Sequence, residues 1–376
     1  MNRRQRLMAT LNGQPVDRPA VSFYEISGCE DMKDPDPFNI YTDPSWRPLI
    51  ELARDRSDRI AMCLVPIQGM PPNPMWEGST HQERMENGSR LVTSTIRAGK
   101  RTLTQRTRQD PDVNTVWTVE HYIKDPDDLR ALLEIPEAPL GGTADPSQVL
   151  SLEAQVGDGG IVMPSIGDPL CSIAWMFDMA ELTVAATTER ELFGQLMDRA
   201  ARQMYWVMKT AAKAVPGRLW RIIGPEYASP PYMRPELFRE YVTPHVRQMV
   251  EYIHESGGYA RVHSHGRLRD ILDDIVATGC MGLDPIEPPP QGDVELSYVR
   301  ERYGKQLVLF GNLEIADIEN LPTPQFEKKV RRAIAEGTAG EGRGFVLMPS
   351  ACPYGRKLAP LSLRNYEKMI EIVETL

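Results

Sequence analysis

Cysteine is scarce and scattered in this 376-residue chain: Cys29, Cys63, Cys171, Cys280 and Cys352 are odd in number and lack short pair spacing. That pattern argues against a disulfide framework and makes a reducing, cytoplasmic setting the expectation. Positive charge is also short. The formal net charge of -9 disfavours nucleic acid or an anionic membrane surface as the main partner. No apolar run approaches the roughly 20 residues of a membrane span, and the basic, amphipathic start Met1-Asn-Arg-Arg-Gln-Arg-Leu-Met8 has no continuous apolar core of a leader. A soluble chain is expected. No G-x-G-x-x-G follows an early strand and no P-loop is present, which argues against a dinucleotide-binding sheet.

What the chain does have is bulk and rhythm. At 41% hydrophobic it can bury a substantial core. Eight short apolar runs rich in β-branched residues recur at 20–24, 59–66, 160–166, 219–224, 259–263, 282–286, 306–310 and 344–348. Most are followed by amphipathic segments, as parallel strands buried under helices should be. Helices are clearest at 236–256, 267–277, 323–336 and 362–375, with Gly257-Gly258 and Gly279 as stop signals. Eight strand–helix units without an evident linker predict one (β/α)8 TIM barrel over residues 1–376, its active site at the C-terminal ends of the strands.

One stretch breaks the rhythm. Residues 89–124 alternate like antiparallel strands around a turn at Ala98-Gly99-Lys100, which predicts a small β-meander inserted between barrel strands 2 and 3. Before it, Met70, Met75 and Trp76 lie in a Pro-rich loop. Unbranched Met and flat Trp suit an apolar ligand, and equally a loop packed on its own core.

The chemistry-bearing residues cluster at predicted strand ends. His263 and His265 lie two apart where the fifth run ends, so both imidazoles can point one way. Glu287 ends the next run, and Cys352 follows the last. Imidazole nitrogen, thiolate sulfur and carboxylate oxygen are ordinary zinc donors, and three protein ligands with an exchangeable position make a catalytic site. An isolated H-x-H is more often a hydrogen-bonded barrel pair; the matching thiol and carboxylate favour a Zn2+ site at His263, His265 and Cys352, with Glu287 as a displaceable fourth ligand. Glu226 and Asp168 are expected to orient substrate or donate a proton. Glu25 and Glu314 are weaker strand-end candidates, while Tyr24 and Asn312 join Met70, Met75 and Trp76 as expected substrate contacts.

Several motifs in order carry a resemblance. Residues 4–19 (RQRLMATLNGQPVDRP), 229–242 (SPPYMRPELFREYV), the His263 segment, Asp284-Pro-Ile-Glu-Pro-Pro289, Leu309-Phe-Gly-Asn312 and the Cys352 segment together resemble the uroporphyrinogen decarboxylase superfamily, specifically its corrinoid-linked zinc methyltransferase branch. The resemblance implies a TIM barrel whose zinc is bound by a His-x-Cys pair and a later Cys. His263 matches the first His, His265 stands where Cys is usual, and Cys352 matches the last Cys. The spacing from the H-x-H pair to Glu287 is also similar to the zinc site of cobalamin-independent methionine synthase. The Arg-rich R-Q-A-G-R segment of the decarboxylases is missing after the first strand, where Tyr24-Glu-Ile-Ser-Gly-Cys-Glu30 stands instead.

A His2Cys site carries less negative charge than a thiolate-rich one and should be the stronger Lewis acid. This departure from the family's ligand set leads to the expectation of methyl-ether cleavage, with a methoxylated aromatic as the expected donor, although no residue separates it from a methylated amine, halide or sulfur compound. The implied acceptor is the cob(I)alamin of a separate corrinoid protein, or tetrahydrofolate, and a homodimer is compatible. Two alternatives stay open at this stage: methyl transfer from methylcobalamin to a thiol, and a non-catalytic barrel that binds a tetrapyrrole or a corrinoid protein.

Overall fold

The computed structural model describes residues 1–376. Its barrel strands are β1 (Ala20–Val21), β2 (Arg59–Cys63), β3 (Gly160–Gly167), β4 (Leu219–Ile223), β5 (Tyr259–His263), β6 (Gly282–Asp284), β7 (Val308–Leu313) and β8 (Gly344–Pro349). All pair in parallel, in the order β1-β8-β7-β6-β5-β4-β3-β2. The expected (β/α)8 barrel is therefore present, with one seam between β1 and β2 that carries no strand ladder. Runs such as Val-Leu-Phe-Gly-Asn-Leu in β7 are buried at every position, because helices cover one face and the barrel interior the other.

Asp58 closes the seam. Its N–H donates to the Val21 carbonyl at 2.6 Å, and its carboxylate accepts from the Val21 N–H at 2.9 Å, from Arg6 at 2.5 Å and from Arg18 at 2.8 Å. The carboxylate is fully buried. Asp58→Ala strands these donors, although Arg6 keeps Asp17; the expected loss is about 1.5–3 kcal/mol, read from a denaturant midpoint. Asp17 has its own signature. Hydrogen bonding to Arg6 holds its carboxyl well below the usual carboxylate range. The unfolded chain thus takes up the proton first, so the contribution is whole above about pH 4 and fades as pH falls further. Asp17→Asn should flatten the acid limb of the wild-type stability profile in that window.

The helices depart from expectation where backbone chemistry intervenes. The helix expected at 236–256 is two, Pro235–Tyr241 and Thr243–Glu255, because Pro244 has no N–H to continue the first. The one expected at 267–277 is cut to Leu272–Val276. There the Arg267 N–H is taken by the Pro230 carbonyl and the Arg269 N–H by Asp293.

The insertion is a four-stranded antiparallel sheet, Thr80–Glu86, Ser89–Ala98, Arg101–Gln109 and Val116–Glu120. It starts earlier than the 89–124 expected, since Thr80–Glu86 is polar and wholly exposed and shows no apolar alternation. The overlooked signal was Asn87-Gly88, a two-residue hairpin loop with both φ positive, at 52° and 85°. Ile96, Ala98 and Leu103 anchor the sheet to the core. No helix of the chain is long and apolar enough to cross a membrane.

Candidate functional site

β5 has charged residues on its inward face. Arg261 and His263, two apart, are both buried, and the β5–β6 register sets His263 beside Asp284. Asp284 is fully buried, and it accepts from both Nε and Nη2 of Arg261 and from His263 Nδ1 at 2.7 Å. Burial works against its ionisation, but the Arg261 charge outweighs it and holds the carboxyl well below the usual range. Burial also pushes the His263 imidazole down, against the pull of Asp284. His263 is thus a neutral ring donating Nδ1–H to a carboxylate, with Nε2 left to face the phenol of Tyr24 at 3.4 Å.

His265 repeats the arrangement one step further out. Its Nδ1 meets Glu287 Oε1 at 2.8 Å, and Glu287 Oε2 accepts from the Gly266 N–H at 3.0 Å. Burial opposes protonation of His265, yet the bond to Glu287 raises its pKa above the ordinary imidazole value. The two rings stand edge to face with centroids 4.6 Å apart. Glu287, expected as a ligand, is here the residue that fixes the orientation of His265.

The floor comes from β1 and β4. The Tyr24 ring stacks on His263 at 5.8 Å, and Arg221 of β4 donates to the Tyr24 oxygen and to Glu25 Oε1 at 3.3 Å. Cys352, the third expected donor, meets the other oxygen of Glu25 at 3.6 Å. Burial, reinforced by Glu25, pushes its thiol far up, so it stands protonated. The imidazole pair fits a metal: each Nδ1 is taken by a carboxylate, the usual way of presenting Nε2 to a cation. The third donor is not gathered, and no group of three or more His, Cys, Asp or Glu side chains stands close enough to hold an ion.

The remaining expected residues divide. Glu226 lies in the turn after β4, accepts from the Gly224 N–H at 2.9 Å and contributes its charge to the field at His265. Asp168 has no exposed surface and caps the Cys171 N–H at 2.7 Å. Burial drives its carboxyl well above the usual range. Gly224 covers it so closely, at φ 118°, that a Cβ there would lie 2.3 Å from Asp168 Oδ1. Asp168 is thus built into the wall behind Gly224.

Asn312 is buried at the end of β7 and lines a side cavity of about 110 Å³ with Glu314. Glu314, bonded to the Ser350 hydroxyl, is pushed up to about 7 by burial and the charge of Glu287. Trp76 stacks on Trp175 at 6.5 Å, while Met70 is exposed. Met75 lines a separate cavity of about 240 Å³ with Leu132, Ile173, Met176 and Leu196. That loop packs against the insertion, where the turn Pro74–Trp76 meets the strand Ser89–Ala98.

Sequence reasoning missed Arg221, Arg261 and Asp284. A signal was there: an arginine at the centre of Leu-Trp-Arg-Ile-Ile, and another two residues before His263, point inward in otherwise apolar strands and require partners.

Residues 116–375 match the family described as uroporphyrinogen decarboxylase (URO-D). Among solved structures, a methyltransferase from Methanosarcina mazei superposes with a TM-score of 0.60 at 15% identity, covering 100% of this chain and 99% of that one. D-psicose 3-epimerase from Clostridium cellulolyticum H10 (TM-score 0.34, 11% identity) covers 61% of this chain and 84% of its own. A xylose isomerase-like TIM barrel protein from Mycobacterium smegmatis (TM-score 0.33, 11% identity) covers 66% and 88%. The first shares the fold; the other two are too distant to carry an argument. No curated protein matches the sequence.

Proposed function

The chain belongs to the uroporphyrinogen decarboxylase family, and from that premise we propose that it is a zinc-dependent methyltransferase that cleaves a methyl ether. The observation that carries the reading is the pair of imidazoles at one strand end, each with Nδ1 held by a carboxylate and Nε2 turned away from it, that of His263 toward the Tyr24 hydroxyl. The full-length likeness to the Methanosarcina mazei methyltransferase is compatible with it.

In this proposal His263 and His265 would hold Zn2+, and Cys352 would be the third ligand once deprotonated and parted from Glu25. The metal, when bound, supplies the Lewis acidity that stabilises charge on the departing oxygen. Asp284 and Glu287 keep the two rings in place. Arg221, presented through Tyr24, maintains a positive field beneath the reacting oxygen. The ether O–CH3 bond breaks with its electron pair left on oxygen, the methyl passes in line to an external nucleophile, and the oxygen takes up a proton. Glu226, near His265, is the side chain assigned to orient the substrate or deliver that proton. The acceptor is cob(I)alamin on a partner corrinoid protein, or tetrahydrofolate.

A panel of methoxylated aromatics incubated with zinc-supplied protein and cob(I)alamin should consume the Co(I) absorbance for at least one member. A flat response, with rapid thiol methylation from methylcobalamin, would replace the reading with the reverse flow. His265→Ala should lower the zinc-to-protein ratio well below one and reduce demethylation in step. Full zinc content with undiminished turnover would remove His265 from its role.

A further inference from the structure

On the side of the barrel where β1 and β2 are not paired lies a cavity of about 380 Å³, within the usual range for small-molecule sites. It is bounded by the loop after β1, by Met62 of β2, and by the helix Ser147–Val156. Gln148, Ser151, Leu152 and Gln155 all line it. Their spacing puts them along one face of that helix. The side chains of Gln148, Ser151 and Gln155 have no hydrogen-bond partner within the protein, so their donors and acceptors are available to a ligand.

The cavity connects with the site described above. Glu25 and Met62 line it, and both touch the Arg221 guanidinium, at 3.3 Å each. Its charge is one-sided. Glu25 and Glu30 contribute carboxylates, while no lysine or arginine lines it. Two cations buried behind it are already engaged: Arg59 on Cys29 and on the Ser27 carbonyl, Arg221 on Tyr24 and Glu25. A carboxylate entering here would meet two like charges and no free cation. A neutral ring would find Leu152 and Met62 for its apolar face and two amides and a hydroxyl for its polar groups.

We propose that this seam cavity is the subsite that selects the methyl donor, and that it takes a neutral hydroxylated aromatic ring and rejects aromatic carboxylates. The inference rests on the methyl-ether reading, and binding without turnover separates the two. Calorimetric titration of the full chain without methyl acceptor, using 2-methoxyphenol and 2-methoxybenzoate, should give at least tenfold tighter binding of the phenol. Gln148→Leu/Gln155→Leu should weaken the phenol at least fivefold while thermal unfolding stays at the wild-type temperature. Gln155→Lys should narrow or invert the preference by supplying the missing cation, and it gives a second readout should the double variant fold poorly. Equal binding of the two probes, or affinities unmoved in Gln155→Lys, overturns the subsite. Demethylation absent across every donor, with the binding preference intact, overturns the methyl-ether reading alone.

Discussion

Asp284→Ala should destabilise the protein by about 3–5 kcal/mol, the largest loss expected from any single substitution at the site. The carboxylate is fully buried and takes hydrogen bonds from both the Arg261 fork and His263. Removing it leaves a guanidinium with 1% exposed side chain and no counter-charge; the Phe310 ring, 4.5 Å from the guanidinium carbon, and the sulfurs of Met163 and Met348, at 3.7 and 3.8 Å, remain beside it, and none of them is an anion. The cost lies in the stranded cation and not in the net worth of the pair. Arg261→Met combined with Asp284→Leu should therefore recover most of the stability, because apolar replacement of both members of a buried pair is close to neutral. Urea denaturation of wild type, single and double variants checks this. A single variant within 1 kcal/mol of wild type would mean that Arg261 reaches water or another partner.

The second large effect is on turnover. His263→Ala should lower kcat/KM for ether cleavage by on the order of 10³-fold, the equivalent of several kcal/mol of lost charge stabilisation at the departing oxygen. Stability should change far less than in Asp284→Ala, since Asp284 keeps both bonds from Arg261. His263→Gln retains a hydrogen-bonding group toward Asp284 but cannot reproduce the imidazole nitrogen facing Tyr24. It should fold like wild type and still lose turnover and bound zinc. Turnover within tenfold of wild type in either variant would take His263 out of the chemistry.

The barrel was legible because its evidence is local and repeated: eight β-branched runs, most of them followed by amphipathic stretches. The histidine pair was legible for the same reason, since two residues two apart on a strand must face the same way. Partners set by register were not. Asp284 reaches His263 through the β5–β6 pairing, and nothing in either segment alone fixes that alignment. Cys352 shows the opposite failure. Its position after β8 was read correctly, but its neighbour Glu25 comes from the loop after β1, brought close by the β1–β8 pairing. Glu287 was read as a displaceable donor to a metal; its bond to His265 Nδ1 depends on the packing of two loops, which neither segment shows alone. For the Met70–Trp76 loop, composition left a ligand pocket and self-packing equally open, since it does not say against which wall a loop packs.

The seam has a consequence for how the protein is made. β1 has one ladder partner, β8, with Ala20 set against Val346, so the first barrel strand meets its ladder mate only after more than 300 further residues have been made. Until then the two bonds between Val21 and Asp58 are the strand's link to β2, and the nascent chain depends on chaperones or on early docking of the helix Arg3–Leu11 to stay out of trouble. Fragments that end before residue 344 cannot complete the ring at all, however well their remaining strands assemble.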